Sequence, residues 1–205
     1  MDLVVIRNLA FKHLGDRKAH LHREKGFIYY HGQRVAKIAV SLRESLFPTN
    51  SSIDRILTVA SYFHDVAKGI EPHATYGAVL ARELLAEYCD SEDLDKICEV
   101  IAYHQFRDKT KSYTESIKIV QDADILDHCG VMEIWMNFQY YAHTNGTIQE
   151  SLAFYQRKYA QHIKALRELL NYEISKEIFD EKAAFVDRFV SRMALEVEGE
   201  LGDVR

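Results

Sequence analysis

Apolar residues recur at three- and four-residue spacing along almost the whole chain, the period of an amphipathic helix. Leu3, Ile6, Leu9 and Ala10 fall on one face of a first helix predicted over about residues 2–14. The polar, histidine-rich segment 15–25 reads as a connection. Val35, Ile38, Ala39 and Leu42 mark a second helix over about 27–46, broken by Pro48, Thr49, Asn50 and Ser51. A third, over about 53–68, carries Ile56, Leu57, Val59, Ala60 and Phe63. It is apolar on most sides, which predicts a central buried helix, stopped by Gly69. Pro72 fits the first turn of a fourth helix running to about residue 88. Ser91 is the expected cap of a fifth, ending near Gln105 with Leu94, Ile97, Val100 and Ile101 inward. Beyond a charged loop at 107–113, helices are predicted near 115–127, 131–142, 148–169 and 175–196, with a frayed tail after Glu198. The expected fold class is all-α: a helical bundle forming one domain over residues 1–205, its motifs within about 27–130 and a helical extension over 131–200.

Composition agrees with that expectation. Only 2 prolines and 9 glycines punctuate 205 residues, which suits long helices and short loops, and a hydrophobic share of 47% supports a sizeable core. The formal net charge of -5 speaks against general nucleic-acid binding but leaves room for a local basic patch around one phosphorylated ligand. No stretch is long and apolar enough to span a bilayer, so no membrane partner is expected. Residues 1–10 include Asp2 and lack a signal-peptide layout, so they belong to the fold, and the protein is expected to be soluble and cytoplasmic. Cys89, Cys98 and Cys129 are odd in number and form no CxxC pair, which favours small buried side chains in a reducing compartment over a disulfide framework.

The 10 histidines change the picture, because several sit in apolar stretches beside carboxylates. His64 and Asp65 follow Ala60-Ser61-Tyr62-Phe63 at the end of the most apolar helix. A charge buried there and left unpaired costs several kcal/mol. Either a hydrogen-bonded His-Asp pair in the core or a divalent cation relieves that cost. Neighbours on a helix point about 100° apart, so a cation needs further ligands from other helices. His31, on a face with Arg34, Val35 and Ile38, is one candidate, and Asp124, within Val120-Gln121-Asp122-Ala123-Asp124-Ile125-Leu126-Asp127, is another. Each also has an ordinary structural explanation, as a helix-start residue and a salt-bridged acid. Asp122 lies about 200° around the helix from Asp124 and cannot reach the same ion without distortion.

Taken together, His31, His64-Asp65 and Asp124 resemble the ligand order of the HD-domain metal-dependent phosphohydrolases, in particular their small bacterial single-domain branch. His31-Gly32-Gln33-Arg34-Val35, the run from Ala60 to Gly69, and the segment Glu115 to Asp127 with its Asp-Ala-Asp-x-Leu-Asp pattern carry the resemblance over about residues 27–130. The resemblance implies that His31, His64, Asp65 and Asp124 hold one divalent ion such as manganese, iron or magnesium. It implies hydrolysis of a phosphoester or phosphoanhydride, with a small phosphorylated substrate such as a nucleotide and a metal-activated water. Asp122 is then a supporting acid. Asp65 orients the water, and Lys68, one turn beyond His64, reaches substrate phosphate. His73 and His104 either bind phosphate and donate a proton or complete a second metal position. His128, one turn from Asp124, supports the site or packs as an ordinary histidine. The loop around Arg107, Lys109 and Lys111 is either a solvated loop or a phosphate-gathering lid. The helices after residue 130 pack on the core or form the face of a homodimer. Two rival expectations are a dinuclear hydrolase of cyclic nucleotides or dinucleoside polyphosphates, and a module that binds a nucleotide without turning it over.

Overall fold

The computed structural model describes residues 1–108 and 110–201, so Lys109 of the charged loop lies outside the described residues. It is all-helical, with no strand among the described residues. The chain forms two compact units, Met1–Asp127 and a second that begins at His128.

In the first unit α1 spans Leu3–Leu14, α2 Phe27–Leu46, α3 Asp54–Phe63, α4 His73–Leu85, α5 Ser91–Tyr103 and α6 Glu115–Asp127. Helix α3 is the centre: it packs against α1, α2, α5 and α6, and Leu57, Val59, Ala60 and Phe63 are fully buried. A buried helix has no solvent side, which is why its sequence is apolar nearly all round. Asp2 caps α1 by accepting from Val4 N at 2.8 Å. The bidentate pair of Arg43 with Asp54, at 2.6 and 2.7 Å, ties the end of α2 to the start of α3 across the Pro48 break. No helix among the described residues is long and apolar enough to cross a membrane.

Several boundaries differ from the sequence expectation, α4 for one ending at Leu85 and not near residue 88. The cap of α5 is Asp90, whose Oδ1 accepts from Asp93 N at 2.9 Å, because Ser91 already has helical backbone and Asp90 is the last extended residue. Helix α3 ends at Phe63 and not near Lys68. Its ladder tightens there, with Val66 N bonding Phe63 O and Lys68 N bonding Asp65 O at 3.0 and 2.9 Å. The Ser61 carbonyl, which a continuing helix would use, is bonded by the ring of His64.

The second unit contains α7 (Val131–His143), α8 (Ile148–Phe154), a π-turn at Tyr155–Tyr159, α9 (Ala160–Leu169) and α10 (Glu173–Val197). Thr147 and Glu150 start α8 with a reciprocal capping box. Ile134, Tyr155, Tyr159 and Val186 form its core, flanked by Phe138, Phe154, Ile163 and Val190. Glu133 reaches into this apolar cluster and accepts from the Tyr155 hydroxyl at 3.2 Å. Burial disfavours its ionised form more than that hydrogen bond favours it, and its pKa is raised to about 7. The folded state therefore holds a proton that the unfolded chain releases near the ordinary carboxylate value. Stability contributed by this protonation is lost as pH rises through about 7. Glu133→Gln, which keeps an acceptor for Tyr155, is expected to raise the melting temperature by several degrees at pH 8 and hardly at all at pH 5. An equal gain at both values in a thermal melt would show that Glu133 is not the titrating group.

Candidate metal centre

His31 is the fifth residue of α2 and is fully buried against α3. Its neighbour Gly32 permits that approach, since a Cβ there would stand 2.8 Å from the Ser61 carbonyl. His31 Nδ1 donates to Asp127 Oδ2 at 2.7 Å. Asp127, the last residue of α6, also receives a fork from Arg34, Nε at 2.7 Å and Nη2 at 2.9 Å. With Nδ1 holding the proton, neutral His31 turns the lone pair of Nε2 inward.

His64 and His104 obtain the same orientation by another route. Each follows the last residue of a helix, α3 or α5, and each donates Nδ1 to the carbonyl three residues earlier, Ser61 or Ile101, at 2.7 Å. A carbonyl only accepts, so Nδ1 carries the proton and Nε2 the lone pair. His31 Nε2 and His64 Nε2 then face each other at 3.0 Å, both on buried rings. Two neutral imidazole nitrogens at that separation repel unless a proton or a metal cation lies between them.

Carboxylates close the arrangement. Asp124 Oδ1 lies 3.2 Å from His31 Nε2 and 3.8 Å from His64 Nε2, on a side chain 21% exposed. Asp65 Oδ2 is 3.9 Å from His64 Nε2. Asp65 Oδ1 points to a second group, with Lys68 Nζ at 3.3 Å, His73 Nε2 at 3.4 Å and His104 Nε2 at 3.7 Å. The ligand-type atoms of His31, His64 and Asp65 lie within 4.8 Å of one another, and so do those of Asp65, His73 and His104. Asp65 is common to both sets. Asp122 is fully buried, stands outside these sets, and occupies a different side of α6 from Asp124.

The charges answer to this geometry. Burial pushes His31 towards its neutral form, yet the hydrogen-bonded carboxylates of Asp124 and Asp127 outweigh it and raise its pKa to about 9. Burial, assisted by His64, lowers His104 to about 4. Burial also lowers His64. Burial works against the ionised form of Asp65, but His64, His73 and Lys68 hold its carboxyl well below the usual range. His73 is raised chiefly by Asp65, and its Nδ1 donates to Glu71 at 3.1 Å. Lys68 Nζ lies 3.4 Å from His73 Nε2, so two basic groups converge on one carboxylate oxygen. A donor set of imidazole and carboxylate suits a divalent cation of borderline or hard character, and the facing lone pairs of His31 and His64 fit one.

All seven residues singled out in the sequence, His31, His64, Asp65, Lys68, His73, His104 and Asp124, thus meet in the first unit. Arg107 differs from the lid expectation. Its Nη1 donates to the His104 carbonyl at 2.7 Å and its Nη2 to the Gln121 carbonyl at 2.9 Å, which makes it a bracket between α5 and α6. Asp127 was missed as a participant, although its spacing of three from Asp124 puts both acids on one helix face. Glu71, beside His73, and Arg17, which donates to the carbonyls of Val66 and Lys68, carry no local signal in the sequence.

Comparison with known proteins finds a domain match and similar folds. The HD domain family matches residues 28–128. YpgQ of Bacillus subtilis is 25% identical over 185 residues, covering 85% of this chain and 86% of its own length. The crystal structure of YpgQ in complex with ADP superimposes with a TM-score of 0.68 at 20% identity, covering 97% of this chain and 99% of that one. An HD-superfamily hydrolase from Bacillus thuringiensis gives a TM-score of 0.69 at 22% identity, with 97% of both chains covered. Residues 28–128 of the chain match the HD domain, and this is the part that gathers the histidine and aspartate cluster.

Proposed function

We propose that this protein is a divalent-metal-dependent phosphohydrolase that cleaves a phosphoester or phosphoanhydride bond of a nucleotide. One observation carries the reading: two buried imidazole nitrogens face each other at 3.0 Å, with the carboxylates of Asp65 and Asp124 beside them. His31, His64, Asp65 and Asp124 hold the ion, manganese, iron or magnesium being the class that such ligands accept. A bound divalent cation supplies a Lewis acid and brings the pKa of water towards neutrality.

The remaining roles follow from the side chains. Lys68 and His73, both directed at Asp65 Oδ1, present positive charge to phosphate oxygens and favour charge that develops there. His73 is the proton donor to the leaving group, since its two nitrogens face carboxylates that favour the imidazolium form. His104 has the opposite character: its Nδ1 is spent on Ile101, so Nε2 accepts and does not donate. A nucleotide is the favoured substrate because a relative of similar fold has been crystallised with ADP. The sharing of Asp65 between two ligand sets supports a second reading, a dinuclear site completed by His73 and His104.

The reading is tested with a panel of nucleotides, phosphomonoesters and phosphodiesters, supplied with manganese, iron, magnesium or cobalt, with phosphate and pyrophosphate release scored separately. Metal-dependent turnover of at least one nucleotide is expected, and its abolition in His64→Ala and Asp65→Ala. Tight nucleotide binding with no turnover under any metal would instead make the protein a binding module. Metal content of the active protein separates the two site readings. One ion that survives His104→Ala supports the mononuclear site, and two ions of which His104→Ala removes at least one support the dinuclear site.

Asp127 sets the orientation and basicity of His31, so Asp127→Asn is expected to weaken manganese binding about 10- to 100-fold without removing a ligand. Asp124→Asn is expected to be more damaging than Asp122→Asn in the same titration. The reverse order would assign the fourth ligand to Asp122.

A further inference from the structure

The connection between α1 and α2 reads in the sequence as an ordinary polar loop, yet it delivers a guanidinium to the turn that bears the site. Arg17 Nη1 donates to the Val66 carbonyl and Nη2 to the Lys68 carbonyl. In that turn Val66 N, Lys68 N and Ile70 N bond the carbonyls of Phe63, Asp65 and Ala67 at 3.0, 2.9 and 3.0 Å. The backbone thus uses alternate carbonyls, and Arg17 takes that of Val66, between two of them, and that of Lys68, just beyond the last. Such oxygens past a helix end need a donor, and a planar fork with two fixed N–H directions can satisfy a pair that a point charge cannot.

Arg17 is itself held at both ends of its loop. Its N bonds Leu14 O at 3.2 Å, and its carbonyl accepts from Gly26 N at 3.0 Å. Gly26 has φ +73, and a Cβ there would collide with the Gly15 carbonyl, so a glycine closes the loop. Asp65 and Lys68 project from the clamped turn, and their side chains lie 3.3 Å apart. Arg17 meets neither carboxylate ligand nor the Lys68 ammonium directly; it holds the peptide units that carry them.

We propose that Arg17 is a positioning residue whose fork onto Val66 and Lys68 fixes the turn that aims the Asp65 carboxylate and the Lys68 ammonium into the site. The kinetic part of this inference rests on the phosphohydrolase reading; the metal-binding part does not require turnover.

The test compares wild type, Arg17→Ala, Arg17→Lys, Lys68→Ala and the double variant Arg17→Ala/Lys68→Ala. Manganese affinity is measured by calorimetry, kcat and KM on the best substrate of the panel, and folding by thermal melting. Arg17→Ala is expected to melt within a few degrees of wild type, to bind manganese about tenfold more weakly and to lose at least about tenfold in kcat. Millimolar guanidinium is expected to restore part of kcat in Arg17→Ala, and Arg17→Lys to recover little, because a lysine carries the charge without the fork. The double variant is expected to lose less than the product of the single losses, since both changes act on one turn. Wild-type manganese affinity and kcat in folded Arg17→Ala overturn the proposal, as does a double variant that loses the full product. Where Arg17→Ala does not fold, Arg17→Lys decides: wild-type affinity and kcat overturn it, and loss of both in a folded protein supports it. A wild type that binds manganese but turns over no nucleotide sinks the phosphohydrolase reading alone, and the manganese series still decides the role of Arg17.

Discussion

At the centre of the first unit two buried imidazole nitrogens, Nε2 of His31 and Nε2 of His64, stand 3.0 Å apart, an approach that needs a proton or a cation between them. Without either, the nitrogens repel, and burial denies them water as an alternative partner. Such a contact persists only where the surrounding structure enforces it. Here the enforcing elements are identifiable. Gly32 removes the side chain that would hold α2 away from α3, and Asp127 fixes one ring. The carbonyls of Ser61 and Ile101 fix the rings of His64 and His104.

The outer contacts also explain how charge is distributed. Asp127 is anchored by the Arg34 fork, so it steers His31 without competing for a cation in the site. Asp65 faces the His31–His64 pair with one oxygen and Lys68, His73 and His104 with the other. One carboxylate thereby joins the two groups of basic side chains. His73 and His104 show that residue type alone does not set a role. Glu71 and Asp65 favour a protonated ring in the first, whereas a backbone carbonyl and burial leave the second an acceptor.

The end of α3 shows how local backbone and chemistry are linked. Had the helix continued to Gly69, regular bonding would have taken the Ser61 carbonyl that His64 needs. The tightened turn instead frees that carbonyl, sets Asp65 and Lys68 close together, and exposes the Val66 and Lys68 carbonyls to Arg17. The second unit obeys ordinary packing rules around Ile134, Tyr155, Tyr159 and Val186, with the half-buried Glu133 hydrogen-bonded to Tyr155.

By itself the sequence determined the all-helical class and most helix positions, and it named the candidate residues that the fold brings together. Helical period and the scarcity of proline and glycine are local signals and suffice for the helices, whereas the candidate site residues, each with an ordinary structural explanation of its own, were picked out by their joint resemblance to the HD pattern. It did not determine where α3 stops, at Phe63 and not near Gly69, since the tighter turn that follows has no mark in the helical period. Nor did it determine the partners of the site: Asp127 on His31, Glu71 on His73, Arg107 as a bracket, and Arg17 on the turn it clamps. Those contacts join residues by distance in space, and nothing in the spacing of Arg17 from Val66 distinguishes it from any other loop arginine. Residue types set which chemistry was available; the packing of α2, α3 and α6 decided which nitrogen and which oxygen would face one another.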